Sequence, residues 1–255
     1  MSIAKGKKTA ILGPNGAGKT TLFLHFNGIL RPKRGKIFYD GKEVCYRRAE
    51  IAELRKNVGI VFQNPDVQLF LADLYQEISF GPINLGYSED EVKEKVESAM
   101  RCTGILELRD KPVHHLSYGQ KKSVSIADVL AMEPEVVILD EPTAYLDPRH
   151  VSQITAIFDV LVSEGKTVIL STHDLDFAYS WADYIYVMDK GKIVAKGDPV
   201  TVFSSAGRDP DLFRMPLILE VYSILRENGI ACDAAVPRNA KELKKYIKLA
   251  LGLKC

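Results

Sequence analysis

Four short runs along the chain are apolar at nearly every position: Thr9-Ala10-Ile11-Leu12, Val58-Gly59-Ile60-Val61-Phe62, Val136-Val137-Ile138-Leu139 and Thr167-Val168-Ile169-Leu170. Runs of this length without strict alternation fit strands covered on both faces. The stretches between them are long enough for crossover helices. Together they predict an α/β fold with a mostly parallel sheet. Two antiparallel hairpins join it. One spans residues 36–46 and turns at Asp40-Gly41; the other runs from 184–188 through Lys190-Gly191 into 193–195.

Residues 65–132 change period. Ser88-x-x-Glu91 is a capping box, and Val92, Val96 and Ala99/Met100 then recur on one helical face. Ser117-x-x-Gln120 is a second box, followed by Val124, Ala127 and Val129/Leu130, and Pro134 ends that helix. The stretch reads as a helical insertion in the α/β core. Residues 209–255 predict two further helices. Pro216 opens one and Gly229 closes it. Asn239-x-x-Glu242 opens the other, with Leu243, Tyr246, Ile247 and Leu251 on one face and Gly252 at its end. Two helices make too small a core to stand alone, so they are expected to dock on this chain or on a partner.

Composition narrows the function. Of 255 residues, 46% are hydrophobic, enough for a sizeable core. Thirty-four Lys+Arg against thirty-three Asp+Glu argue against a dedicated nucleic-acid binder. No apolar run approaches the roughly 18 residues of a membrane span, and the first residues lack a signal-peptide core. Cys45, Cys102, Cys232 and Cys255 are scattered, which predicts neither a disulfide framework nor a zinc site and fits a reducing compartment.

The candidate chemistry begins at Gly13-Pro14-Asn15-Gly16-Ala17-Gly18-Lys19-Thr20. This is G-x-x-x-x-G-K-[ST] placed between a strand and a helical stretch. Glycines let consecutive N–H groups curl around phosphate oxygens, and the helix N-terminus adds positive potential. Lys19 is expected to reach the β/γ-phosphates and Thr20 to ligate Mg²⁺. Asp140-Glu141 follows the strand at 136–139, where carboxylates face the crevice beyond a parallel sheet. Asp140 is expected to hold Mg²⁺ through water, and Glu141 to act as general base toward the attacking water.

These two motifs open a resemblance to the ATP-binding cassette family that extends from residue 3 to about 203. Gln63 stands at the family's Q-loop glutamine. Leu116-Ser117-Tyr118-Gly119-Gln120 resembles the signature L-S-G-G-Q, Ala144-Tyr145-Leu146-Asp147 the D-loop, His173 the switch histidine, and residues 192–197 the strand after the switch. The resemblance implies a P-loop NTPase core at 1–64 and 133–203, a helical signature subdomain at 65–132 and a helical extension at 204–255. It implies ATP and Mg²⁺ as ligands, held head to tail between two cassettes. Gly13–Thr20 and Thr21 of one chain would face Ser117, Gly119, Gln120 and Asp147 of the other. Gln63 would reach metal and water, and His173 the γ-phosphate.

A narrower resemblance lies in Asn64-Pro65-Asp66-Val67-Gln68-Leu69-Phe70 and Phe80-Gly81-Pro82-Ile83-Asn84-Leu85-Gly86. Both look like the ATPase subunits of energy-coupling-factor importers, including the cobalt and nickel branch. That implies a transmembrane coupling component, a substrate-binding membrane component and a peripheral place on the cytoplasmic face of the membrane. Leu69, Phe70, Leu71 and Phe80 are the expected docking surface. Tyr118 departs from the signature's first glycine, and Ser123 from a common arginine. Family members also begin with strands that carry an aromatic for adenine; twelve residues precede Gly13 here, so weak recognition of the base is expected, with Tyr39 and Tyr46 the nearest substitutes. Two other readings stay open at this point: a cassette ATPase of DNA repair or translation, and a catalytically silent interaction module.

Overall fold

A computed structural model describes residues 1–206, 214–230 and 234–253. Cys232, Cys255 and the start of the segment expected at 209–255 lie outside the described residues. In chain order the elements begin β1 (Lys8–Leu12), α1 (Lys19–Phe26), β2 (Phe38–Tyr39), β3 (Lys42–Glu43), α2 (Arg48–Asn57), β4 (Val58–Val61), α3 (Pro65–Gln68), α4 (Leu74–Asn84), α5 (Glu89–Cys102) and α6 (Tyr118–Leu130). They continue β5 (Val136–Leu139), α7 (Pro148–Ser163), β6 (Thr167–Thr172), α8 (Leu175–Trp181), β7 (Tyr184–Asp189), β8 (Lys192–Gly197), α9 (Pro199–Ala206), α10 (Leu217–Glu227) and α11 (Ala240–Ala250). Chain contacts divide the protein into two compact units: Met1–Lys8 with Gly18–Ser171, and Thr9–Ala17 with the chain from Thr172 onward.

In the first unit β4, β5 and β6 pair in parallel, with Val61 opposite Leu139 and Leu139 opposite Leu170. All three are almost wholly buried, which explains their unbroken apolar sequence. The register decides the site, because Asp140 and Ser171 are the next residues on two adjacent strands. Helices α4, α5 and α6 pack on one another, and α6 lies against β4. A Cβ on Gly59 would sit 2.4 Å from Val129 Cγ1, so a glycine in β4 is what lets α6 approach so closely. Both capping boxes form, at Ser88/Glu91 and at Ser117/Gln120.

Helices α3 and α4 fall within the expected helical insertion, but the sequence did not locate them. Asn64 caps α3 by accepting from the Asp66 N–H at 3.0 Å, and Asp73 caps α4 by accepting from the Gln76 N–H at 2.8 Å. Gly and Pro side by side favour a turn, yet Gly81 and Pro82 lie inside the last turns of α4. Burial of Leu74 and Ile78 overrides the local preference.

In the second unit β7 pairs in parallel with β1 and antiparallel with β8. Lys190 and Gly191 both take positive φ, as the two-residue turn of a hairpin requires. The rings of Tyr222 and Tyr246 join α10 to α11 at 5.1 Å. The Tyr179 hydroxyl donates to the Pro237 carbonyl at 2.9 Å, and the Arg238 guanidinium donates to the carbonyls of Tyr179 and Ala182 at the end of α8. Of the two destinations left open by the sequence, these helices dock on their own chain.

Candidate nucleotide site

The loop after β1 is built for an anion. Gly13, Gly16 and Gly18 have φ of 154°, 80° and 101°, and the Ala17 N–H donates back to the Pro14 carbonyl at 3.2 Å. A Cβ on Gly13 would come within 2.3 Å of the Met188 carbonyl oxygen, so no other residue fits that corner. Gly18 is the N-cap of α1 and offers no side chain to its first amides. The start of a helix with no side-chain cap favours a bound anion. Pro14, Asn15 and Gly16 are exposed, and Thr21 is exposed on α1.

At the C-terminal ends of β5 and β6 four of the expected residues converge. The Thr20 hydroxyl donates to Asp140 Oδ2 at 2.5 Å, and Lys19 Nζ lies 3.6 Å from Glu141 Oε1. Ser171 completes the arrangement. Its hydroxyl donates to Asp140 Oδ1 at 2.5 Å and accepts from the Glu141 N–H at 2.9 Å. Lys19, Asp140, Glu141 and Ser171 are all buried. Glu141 is held at φ 44°, a left-handed conformation that costs a non-glycine residue about 1 kcal/mol or more. A hydroxyl and a carboxylate oxygen side by side are hard ligands of the kind Mg²⁺ takes. The donor set thus fits a magnesium nucleotide: backbone N–H groups and Lys19 for phosphates, Thr20 and Asp140 for the metal, Glu141 for water. Sequence reasoning missed Ser171, although its place opposite Asp140 follows once the two strands are paired.

The other expected residues fall as follows. Gln63 is exposed just past β4. The Ser117 and Gln120 side chains are engaged in their capping box: Ser117 Oγ accepts from the Gln120 N–H at 3.3 Å, and Gln120 Oε1 accepts from the Ser117 N–H at 3.0 Å. Gly119 is buried against His150, where an added Cβ would meet the ring at 2.8 Å. Asp147 caps α7, accepting from the N–H groups of His150 and Arg149, and the bonds from the His150 N–H and its ring nitrogen hold its carboxyl below the usual range. His173 is exposed, directly after β6.

The family profile described as "ABC transporter" matches residues 1–144, more than half of the chain. The chain belongs to the ABC transporter family. It is 49% identical over 237 residues to the energy-coupling factor transporter ATP-binding protein EcfA3 of Clostridium perfringens, covering 91% of this cassette and 83% of that protein. It is 48% identical over 229 residues to the corresponding EcfA of Methanocaldococcus jannaschii, covering 89% and 82%. Among solved structures it resembles cbiO1 of Clostridium perfringens, part of the ABC transporter complex cbiONQ, with a TM-score of 0.76, 47% identity and coverage of 90% and 88%.

In this cassette the segment after Gln63 is lashed to the helices around it. Gln68 accepts from the Phe62 N–H at 3.2 Å and donates to the Ser125 carbonyl at 2.8 Å and to Asp128 Oδ2 at 2.9 Å. Asp66 pairs with Lys121 at 2.7 Å. Glu77, buried in α4, accepts from the N–H groups of Phe70 and Leu71 at 3.1 and 2.5 Å. So held, the segment presents Val67 and Phe70 outward, and Phe70 meets Phe80 edge to face at 5.0 Å. A cavity of about 880 Å³ in the same unit is lined by Leu22, Phe26, Tyr39, Val136, Ile138 and Ile169 among others. None of Lys19, Thr20, Gln63, Asp140 or Glu141 lines it.

Asp128 gives this region a pH dependence. Withdrawal from water pushes its carboxyl up to about 7; the Gln68 hydrogen bond pulls it down and the Glu77 charge raises it further. An unfolded aspartate titrates at about 3.9, so between roughly pH 4 and 7 the folded protein binds a proton the unfolded chain does not, and stability falls as pH rises. Asp128→Asn keeps an acceptor for Gln68 and removes the titration. Its urea midpoint should vary less than wild type between pH 5 and 8 and exceed it at pH 8. A wild-type-like slope in the variant would assign the effect elsewhere.

Proposed function

We propose that this chain is the ATP-hydrolysing subunit of an energy-coupling-factor importer, working with a second cassette, a transmembrane coupling component and a substrate-binding membrane component. The cluster of Lys19, Thr20, Asp140, Glu141 and Ser171 carries the enzymatic half of the reading. The names of the relatives and the exposed Val67, Phe70 and Phe80 support the transport half. Cobalt, nickel or a vitamin would be the cargo of the membrane components. No helix among the described residues is long and apolar enough to cross a membrane, which suits a peripheral place on its cytoplasmic face.

The proposed core is 1–64 with 133–203, the signature subdomain 65–132 and the extension 204–255. Gly13–Thr20 would wrap the triphosphate, with Lys19 on the β/γ-phosphates and Thr21 beside them. Thr20 and Asp140, with Gln63, would hold Mg²⁺; when bound, the ion neutralises charge on the phosphates. Glu141 would accept the proton of the attacking water, with Ser171 fixing its backbone. His173 would meet the γ-phosphate. Ser117, Gly119, Gln120 and Asp147 would face the nucleotide of the second cassette, with the α6 dipole toward phosphate.

The partner surface is tested with Leu69→Ala together with Phe70→Ala. Phe70 is 64% exposed and Leu69 half-buried, so the Phe70 truncation removes little internal packing. Recovery of the cognate membrane component in a pull-down should drop while ATP affinity holds. Unchanged recovery with a lowered melting temperature would assign these side chains to the cassette's own core instead.

A further inference from the structure

Lys122 has no part in the chemistry so far described, yet its side chain is fully buried, at 0% exposure. A lysine is almost never buried unless its ammonium is engaged. Here Nζ donates to two successive carbonyls at the end of β4, Phe62 at 2.9 Å and Gln63 at 2.8 Å. Tyr118 lies four residues earlier on α6, hence on the same face, and its hydroxyl donates to the same Gln63 carbonyl at 3.2 Å. That hydroxyl is present because Tyr118 stands where the resembled signature has its first glycine.

We infer that Tyr118 and Lys122 are positioning residues for ATP hydrolysis, a two-point tie that fixes the Gln63 backbone to the signature helix so that the Gln63 side chain is delivered to the metal and attacking water. The inference rests on the role proposed above for Gln63. Geometry carries it: Gln63 is exposed at a strand end, and two donors one helical turn apart converge on its carbonyl. Either donor alone would leave the peptide free to pivot; two fix its direction. Burial draws the Lys122 ammonium down to about 8, and the charges of Asp140 and Glu141 oppose that.

The tie also links two functions. The α6 N-terminus is the signature that would face the second cassette, and residues 64–71, next to Gln63, carry the surface proposed for the membrane partner. A displacement of either is transmitted through Tyr118 and Lys122 to the side chain beside the reacting water.

The test is a double-mutant cycle on steady-state ATP hydrolysis, with kcat and KM measured separately. Lys122→Met keeps the volume and removes both donor bonds; kcat should fall about 10- to 100-fold, the scale of a misplaced reacting group. KM for ATP should stay within about threefold, because the phosphate loop is untouched. Tyr118→Phe removes one hydroxyl and should lower kcat about 3- to 10-fold. It also decides the matter if Lys122→Met does not fold. In a Gln63→Ala background neither change should lower kcat further, since no side chain is left to position. Effects that multiply undiminished onto Gln63→Ala would overturn the tie while leaving the role of Gln63 intact. If Gln63→Ala alone leaves kcat unchanged, the role of Gln63 fails and the tie falls with it. A rise in KM with kcat preserved in Lys122→Met would likewise overturn it, by assigning Lys122 to nucleotide binding.

Discussion

Glu141→Gln is expected to lower kcat for ATP hydrolysis by about 10²–10⁴, the range for loss of a general base. Glutamine has the shape of glutamate and leaves the backbone bond to Ser171 Oγ in place, so the left-handed turn at 141 should survive. What is lost is the group that accepts water's proton. The phosphate loop and the Thr20–Asp140 pair are not altered, so ATP affinity should remain near wild type. Bound ATP would then persist, and a nucleotide-held dimer should accumulate on a sizing column. Phosphate release and equilibrium nucleotide binding, measured on the same preparation, separate the two effects. Wild-type turnover in the variant would remove Glu141 from the mechanism.

Lys19→Met should be more damaging because it acts on both binding and stability. Lys19 is 7% exposed and its ammonium faces Glu141 at 3.6 Å. Removing it deletes the cation expected on the β/γ-phosphates; loss of one such charge-stabilising donor typically costs about 10²–10³ in rate. It also leaves the Glu141 carboxylate buried without its cation, a change that costs about 3–5 kcal/mol for a well-buried pair. The double variant Lys19→Met/Glu141→Gln has no such stranded charge. It should recover most of the lost melting temperature and none of the lost ATP affinity. If the double variant is no more stable than Lys19→Met, the pair at 3.6 Å contributes little to the fold.

Much of this was legible in the residues. The four apolar runs became β1, β4, β5 and β6 because buried parallel strands leave little room for polar side chains. Both capping boxes formed as spelled, since a Ser-x-x-Glu or Ser-x-x-Gln pair satisfies its amides locally. Helix α4 was hidden because Gly81-Pro82 signals a turn, and only tertiary burial of Leu74, Glu77 and Ile78 keeps the helix going past them. In the candidate site, residues adjacent in two short motifs, Lys19-Thr20 and Asp140-Glu141, come together as the sequence suggested. Ser171 and Lys122 were not readable, because each acts on a partner distant in sequence. Ser171 meets Asp140 only through strand register, and Lys122 meets Gln63 only because α6 packs across the end of β4. A lysine amid the apolar positions of α6 was the one available signal, and it names no partner. The bonds from Glu77 and Gln68 to residues 62–71 were hidden for the same reason.

The cluster at Lys19, Thr20, Asp140 and Glu141 is proposed to hydrolyse ATP. Single-turnover phosphate release, with the protein in excess over γ-labelled ATP and Mg²⁺ present, tests it most directly. Wild type should convert the bound ATP to ADP and phosphate in full, while Glu141→Gln should keep it as ATP over the same interval. Bound ATP that stays intact on the wild-type protein would contradict the claim and mark the chain as a nucleotide-binding module without catalysis.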